Sequence, residues 1–145
     1  MITNVGTAPE IDKRDLYYIC SPLSDKKKYN QLINMDKAKI YADLVAKEYD
    51  CRTIAPHSFL PKYLIDDIPE ERNIALKFGL EILTVCKKLV VCGERISEGM
   101  QLEINFAAGA HIDVSVDRSS AVGALARYIE SIPLGIIICF VFFES

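Results

Sequence analysis

Only two histidines, His57 and His111, occur in the 145 residues, and neither belongs to a paired ligand spacing, so the sequence offers no zinc site. The five cysteines (Cys20, Cys51, Cys86, Cys92, Cys139) include no C-x-x-C pair. Most lie inside apolar runs and are expected as small buried hydrophobes in a reducing compartment. No apolar stretch reaches the ~20 residues that a membrane helix needs. The longest, Ile132 to Phe143, has about twelve and reads as a buried strand. The opening "MITNVGTAPEIDKRD" lacks the apolar core of a signal peptide, so a cytoplasmic location is expected. Seventeen basic residues against twenty acidic ones leave a net charge of −3, which gives no field to attract a nucleic-acid polymer. With no repeats, heptads or low-complexity tracts, residues 1–145 are expected to form one domain.

What remains is an alternation of strand and helix signals. "LYYIC" (Leu16–Cys20) is a β-prone apolar run stopped by Ser21-Pro22. From Tyr29 to Tyr49, Leu32, Ala38, Tyr41, Ala42, Val45 and Ala46 recur at helical spacing and predict one packed face. "CRTIAP" predicts a second strand. Pro69-Glu70-Glu71 starts a helix that is expected to run to Lys87, mostly buried, with a polar arc around Asn73, Lys77 and Thr84. "KLVVCG" is a third strand, a helix follows from about Glu98 to Ala108, and "HIDVSV" is a fourth strand. A helix over Arg118–Ile132 and a last strand in Gly135–Phe143 complete the pattern. Such an order predicts an α/β fold with a mainly parallel sheet of about five strands and helices on both faces.

Ligands of an open parallel sheet bind beyond the carboxyl ends of its strands. Three loops lie there: Ser21–Asp25, His57–Ile65 and Gly93–Gly99. In "GERISEGMQLEINFA", Gly93 and Gly99 let the backbone approach a ligand, Ser97 suits an N-cap, and the helix start that follows favours an anion. The same residues also make a plain helix cap. Glu103 lies in the second turn on the side shared with Met100; it is either a nucleophile or base beside a phosphate pocket, or an acid that complements the helix dipole. His57 either contacts a ligand or caps the next segment. Ser21 and Ser24, on either side of Pro22, form a turn that can also offer hydroxyls.

"YYICSPLS", "TIAPH", "CKKLVVCG" and "RISEGMQLEINFA" together resemble the nucleoside 2-deoxyribosyltransferase-like superfamily, in particular a small uncharacterised phage and bacterial branch. The resemblance spans about residues 16–108 and leaves 109–145 as an atypical extension. Its most specific element is the spacing S-x-G-x-x-x-E at Ser97, Gly99 and Glu103, which is similar to that of deoxynucleoside monophosphate N-glycosidases. It implies a flavodoxin-like or Rossmann-like sheet, a homodimer or larger homo-oligomer, no metal or organic cofactor, and a nucleoside or nucleotide as the small-molecule partner. It further implies that Glu103 attacks the anomeric carbon while Ser97 and the Ser21–Ser24 turn contact the phosphate, with His57, Gly93, Gly99 and Met100 around the substrate. Active relatives carry an aspartate where this chain has Gly79. A non-catalytic nucleotide-binding protein using the same pocket is the alternative.

Overall fold

Tyr18 and Cys20 point to one face of the sheet and Ile19 to the other, as the period of a strand requires, and all three are buried. Burial on both faces places β1 (Leu16–Cys20) inside a parallel sheet. The computed structural model describes residues 6–117. Within them β2 (Arg52–Ile54), β3 (Lys88–Val91) and β4 (Asp113–Val116) join β1 in the order β2-β1-β3-β4, every pair parallel. β3 repeats the alternation: Leu89 and Val91 join Tyr18 and Cys20, while Val90 and Cys92 join Ile19. The expected Arg118–Ile132 helix, the Gly135–Phe143 strand that would be the fifth, and Cys139 lie outside the described residues. Cys20, Cys51, Cys86 and Cys92 are free and buried, as small apolar side chains would be.

Helices cover both faces. α1 (Lys28–Tyr49) supplies Ala38 and Val45 to the core on the Ile19 face. α2 (Pro69–Leu83) and α3 (Glu98–Gly109) supply Leu83, Met100, Ile104 and Ala107 to the Tyr18 face. Three details differ from the sequence expectation. The buried stripe of α1 runs through Met35, Ala38 and Val45, and Leu32 is 60% exposed because it projects about 120° from Ala38 at 100° per residue. α2 ends at Leu83, four residues early, where Thr84 turns its hydroxyl onto the Glu81 carbonyl and a tight turn delivers the Lys87 amide to the Leu16 carbonyl. Its outer face is also less covered than expected. Ile74 and Phe78 are exposed, because among the described residues only the side toward α3 and the sheet is packed.

The chain leaves β1 for β2 on one side and returns past it to β3 on the other, so the connections diverge beyond the carboxyl ends of β1 and β3. That divergence opens a crevice between the loops that follow these two strands. Gly93 sits at its edge with φ +108°, and a Cβ there would stand 2.7 Å from Pro22 Cδ, so only glycine lets the two loops meet this closely. Among the described residues no helix is long and apolar enough to cross a membrane.

Candidate active site

The three loops singled out above are tied together through Ser24 and Ser21. Its carbonyl accepts a bond from Arg95 Nη2 at 2.6 Å, joining it to the loop after β3, and its hydroxyl donates to Asp66 Oδ2 at 2.8 Å, joining it to the segment before α2. Ser21 adds a second tie, since its carbonyl lies 2.5 Å from His57 Nδ1. The mouth of the crevice is therefore built from fixed polar contacts.

Behind this mouth lies a narrow pocket with largely apolar walls from Leu23, Pro56, Leu60, Leu64 and Leu76, and with Glu103, Tyr18, His57, Asp66 and Arg72 as its polar groups. Glu103 is 3% exposed. Tyr18 donates its hydroxyl to Glu103 Oε1 at 2.8 Å, and Glu103 Oε2 is buried with no hydrogen-bond partner among the described residues. Burial pushes the Glu103 carboxyl above its ordinary range, and the nearby His57 and the Tyr18 hydroxyl oppose that push. Burial also raises the Tyr18 phenol, with the Glu103 charge adding to it, so the proton stays on Tyr18 and the bond to the carboxylate is kept. One oxygen is anchored by Tyr18, the other is buried without a hydrogen-bond partner among the described residues, and the Cys20 thiol lies beside the carboxyl. Such a carboxylate has a fixed direction of attack and little solvation to lose on reacting.

Tyr18 escaped the sequence reading. The available signal was a phenol on the inward face of a central strand, which needs a partner once buried. Gly79 also gains a physical reason. A Cβ at this position would stand 2.7 Å from Tyr18 Oη and 3.6 Å from Glu103 Oε1, so the glycine makes room for the Tyr18–Glu103 pair. Asp66 and Arg72 were likewise missed. Both line the narrow pocket and a wider, more open depression that also includes Ser24 and Lys26.

The other expected site residues are distributed around this centre. Pro22 and Gly93 line a separate depression on the α1 face, with Lys37, Tyr41 and Arg95. Ser21 is 1% exposed, and its hydroxyl is buried with no partner among the described residues. Ser97 is the N-cap of α3, its hydroxyl accepting from the Met100 amide at 3.3 Å, while the Ser97 amide meets Met100 Sδ at 3.4 Å. Met100 is fully buried, so its side chain serves the core. Gly99 is only partly buried, and a Cβ on it would make an ordinary 3.8 Å contact with Leu76. Glu98 is exposed. Among the described residues no three His, Cys, Asp or Glu side chains gather to hold a metal ion.

Residues 15–117 match the model of a family described as a domain of unknown function, DUF7768. The chain belongs to that family. The DUF7768 match begins one residue before β1 and ends one residue after β4, so it coincides with the sheet and contains the whole pocket. No curated protein matches the sequence. Among solved structures the fold is similar to that of a 2-deoxyribosyltransferase from the psychrotolerant bacterium Bacillus psychrosaccharolyticus, at 17% identity, 70% coverage of each chain and a TM-score of 0.50. At that identity the likeness establishes a shared α/β fold of parallel strands between helices.

Proposed function

We propose that the protein cleaves or transfers at the N-glycosidic bond of a deoxynucleoside or its 5′-monophosphate, with Glu103 as the nucleophile. The observation that carries this reading is the carboxylate of Glu103, buried beside a narrow apolar pocket, held at Oε1 by Tyr18 and without a hydrogen-bond partner at Oε2 among the described residues. A carboxylate so placed can bond to an anomeric carbon, and its apolar surroundings strengthen its interaction with developing positive charge on the sugar. The shared fold with a 2-deoxyribosyltransferase supports the same chemistry. Incubation of the purified protein with a panel of nucleosides and nucleotides, with free base followed by chromatography, tests it. Base release is expected; its absence from every member of the panel removes the reading.

The second reading is a nucleotide-binding protein without turnover. Gly79 favours it, since it puts no acid beside Glu103. The same panel separates the two, because a binder retains ligand and releases no base.

Within the first reading the phosphate belongs at the start of α3. The Ser97 hydroxyl accepts from Met100 but still has a proton to donate, and the Glu98 and Gly99 amides have no intrahelical acceptor. Ser97→Ala is expected to weaken binding of a 5′-monophosphate roughly tenfold or more, the equivalent of a charged hydrogen bond, and to leave nucleoside binding nearly unchanged. The lost cap should lower stability by about 1 kcal/mol. Calorimetric titration with matched nucleoside and nucleotide checks this, and equal losses for both ligands would remove the phosphate site.

Assembly as a homodimer or larger oligomer is part of the same proposal. Exposed Leu32, Ile40 and Leu44 on α1 support it. Sedimentation should show Leu44→Asp shifted toward monomer; a monomeric parent ends the idea.

A further inference from the structure

We infer that His57 is the acid that protonates the departing base, an inference that rests on the N-glycosidic reading above. When the bond from C1′ to the base breaks, its electron pair stays on the base nitrogen, and a nucleobase leaves readily only if a proton reaches it in that step. The pocket must therefore present a proton as well as a nucleophile.

The other groups do not offer one. Tyr18 directs its O–H to Glu103, and Asp66 is held as an acceptor by the Ser24 hydroxyl. Arg72 does not give up its proton. No side chain can enter from position 79, where even a Cβ meets Tyr18 Oη at 2.7 Å.

His57 differs from all of these. A backbone carbonyl only accepts, so the contact between Nδ1 and the Ser21 carbonyl places a hydrogen on Nδ1 and leaves Nε2, on the opposite side of the ring, for the pocket that His57 lines together with Glu103. The charged and titratable groups lining that pocket with it are Glu103 from α3, Tyr18 from β1, Arg72 from α2 and Asp66 from the segment before α2. A ring protonated on both nitrogens can give up its Nε2 proton and stay anchored through Nδ1.

In the reaction a Glu103 oxygen forms a bond to C1′, the bond from C1′ to the base breaks with its electrons on the base, and the Nε2 proton moves to the base. The neutral imidazole then takes a proton from the water that attacks C1′, which frees the Glu103 carboxylate and recharges His57. Nucleoside and water enter; deoxyribose and base leave.

The test compares a natural deoxynucleoside with a p-nitrophenyl deoxyriboside, whose p-nitrophenolate leaves without a proton. His57→Asn keeps a donor for the Ser21 carbonyl, and His57→Gln keeps a polar group near the place of Nε2, but neither can pass a proton. For both variants of the full chain, base release in a single turnover is expected to fall about 10²–10⁴-fold, while the first turnover of nitrophenolate, which precedes the water step that also uses His57, stays within about tenfold of the parent. Equal losses on the two substrates would make His57 a structural residue and overturn the inference, as would no loss on either. A split produced by Asp66→Asn in place of the His57 variants would move the role to Asp66. A parent that releases neither leaving group overturns the N-glycosidic reading itself, and is thereby distinguished from failure of the His57 assignment alone.

Discussion

Glu103→Gln is expected to abolish base release while making the protein more stable at neutral pH. Removing a nucleophile from a covalent mechanism lowers turnover by on the order of 10³–10⁶, and the amide oxygen of glutamine can still accept the Tyr18 hydroxyl, so substrate should still bind. The stability gain follows from burial, the largest influence on this carboxyl, which raises its folded-state pKa above the ordinary 4.5. A carboxyl with a raised folded-state pKa holds its proton more tightly in the native state. Its contribution is fully present below the ordinary value and is lost as pH rises through the folded-state one. Glutamine carries no such dependence. The difference in Tm between variant and parent should therefore be positive at pH 7, shrink as pH falls toward about 4.5, and stay constant below it. Thermal melts across that range, beside chromatographic assay of free base, measure both halves. Turnover equal to that of the parent removes Glu103 from the chemistry. A variant no more stable at pH 7 shows that the buried charge carries no penalty.

Gly79→Ala is expected to damage the same centre from the opposite side. The added Cβ must displace a Tyr18 hydroxyl that stands 2.7 Å away on a side chain only 1% exposed. Overpacking of this kind costs about 1–3 kcal/mol, and turnover should fall with it because the displaced hydroxyl no longer fixes Glu103. The diagnostic is the double variant. Tyr18→Phe alone removes a hydrogen bond to a buried carboxylate, at a cost of about 1.5–3 kcal/mol, but it also removes the atom that collides with the alanine methyl. Gly79→Ala with Tyr18→Phe should therefore lose less stability than the two single losses added together. Denaturant unfolding of the four proteins measures this, and strictly additive losses would mean that the glycine is not there for Tyr18.

The strands and helices were legible because each rests on local signals. β1 is bounded by Ser21-Pro22, α2 opens on Pro69 with acids in its first turn, and Ser97 caps α3 with its hydroxyl on the Met100 amide. The end of α2 was less legible, because its last turn is set by the need to bring Lys87 onto the Leu16 carbonyl, a contact across the sheet. The outer faces of α1 and α2 were misjudged for a related reason. Periodicity shows that a helix has an apolar stripe, but the position of the sheet decides which stripe is covered.

The sequence by itself determined an α/β chain of parallel strands, three loops at their carboxyl ends, and a glutamate one turn into the helix after the third. Each of these follows from residue type and spacing along the backbone. Only the tertiary structure decided that Tyr18, 85 residues away, holds that glutamate, that Gly79 is the space their pairing needs, and that His57, Asp66 and Arg72 share its pocket while Pro22 and Gly93 face another. The physical reason is that a hydrogen bond and a desolvated carboxylate depend on distances of a few ångströms between distant segments. Those distances exist only once the alternating faces of β1 and β3 have been packed between α1 on one side and α2 with α3 on the other.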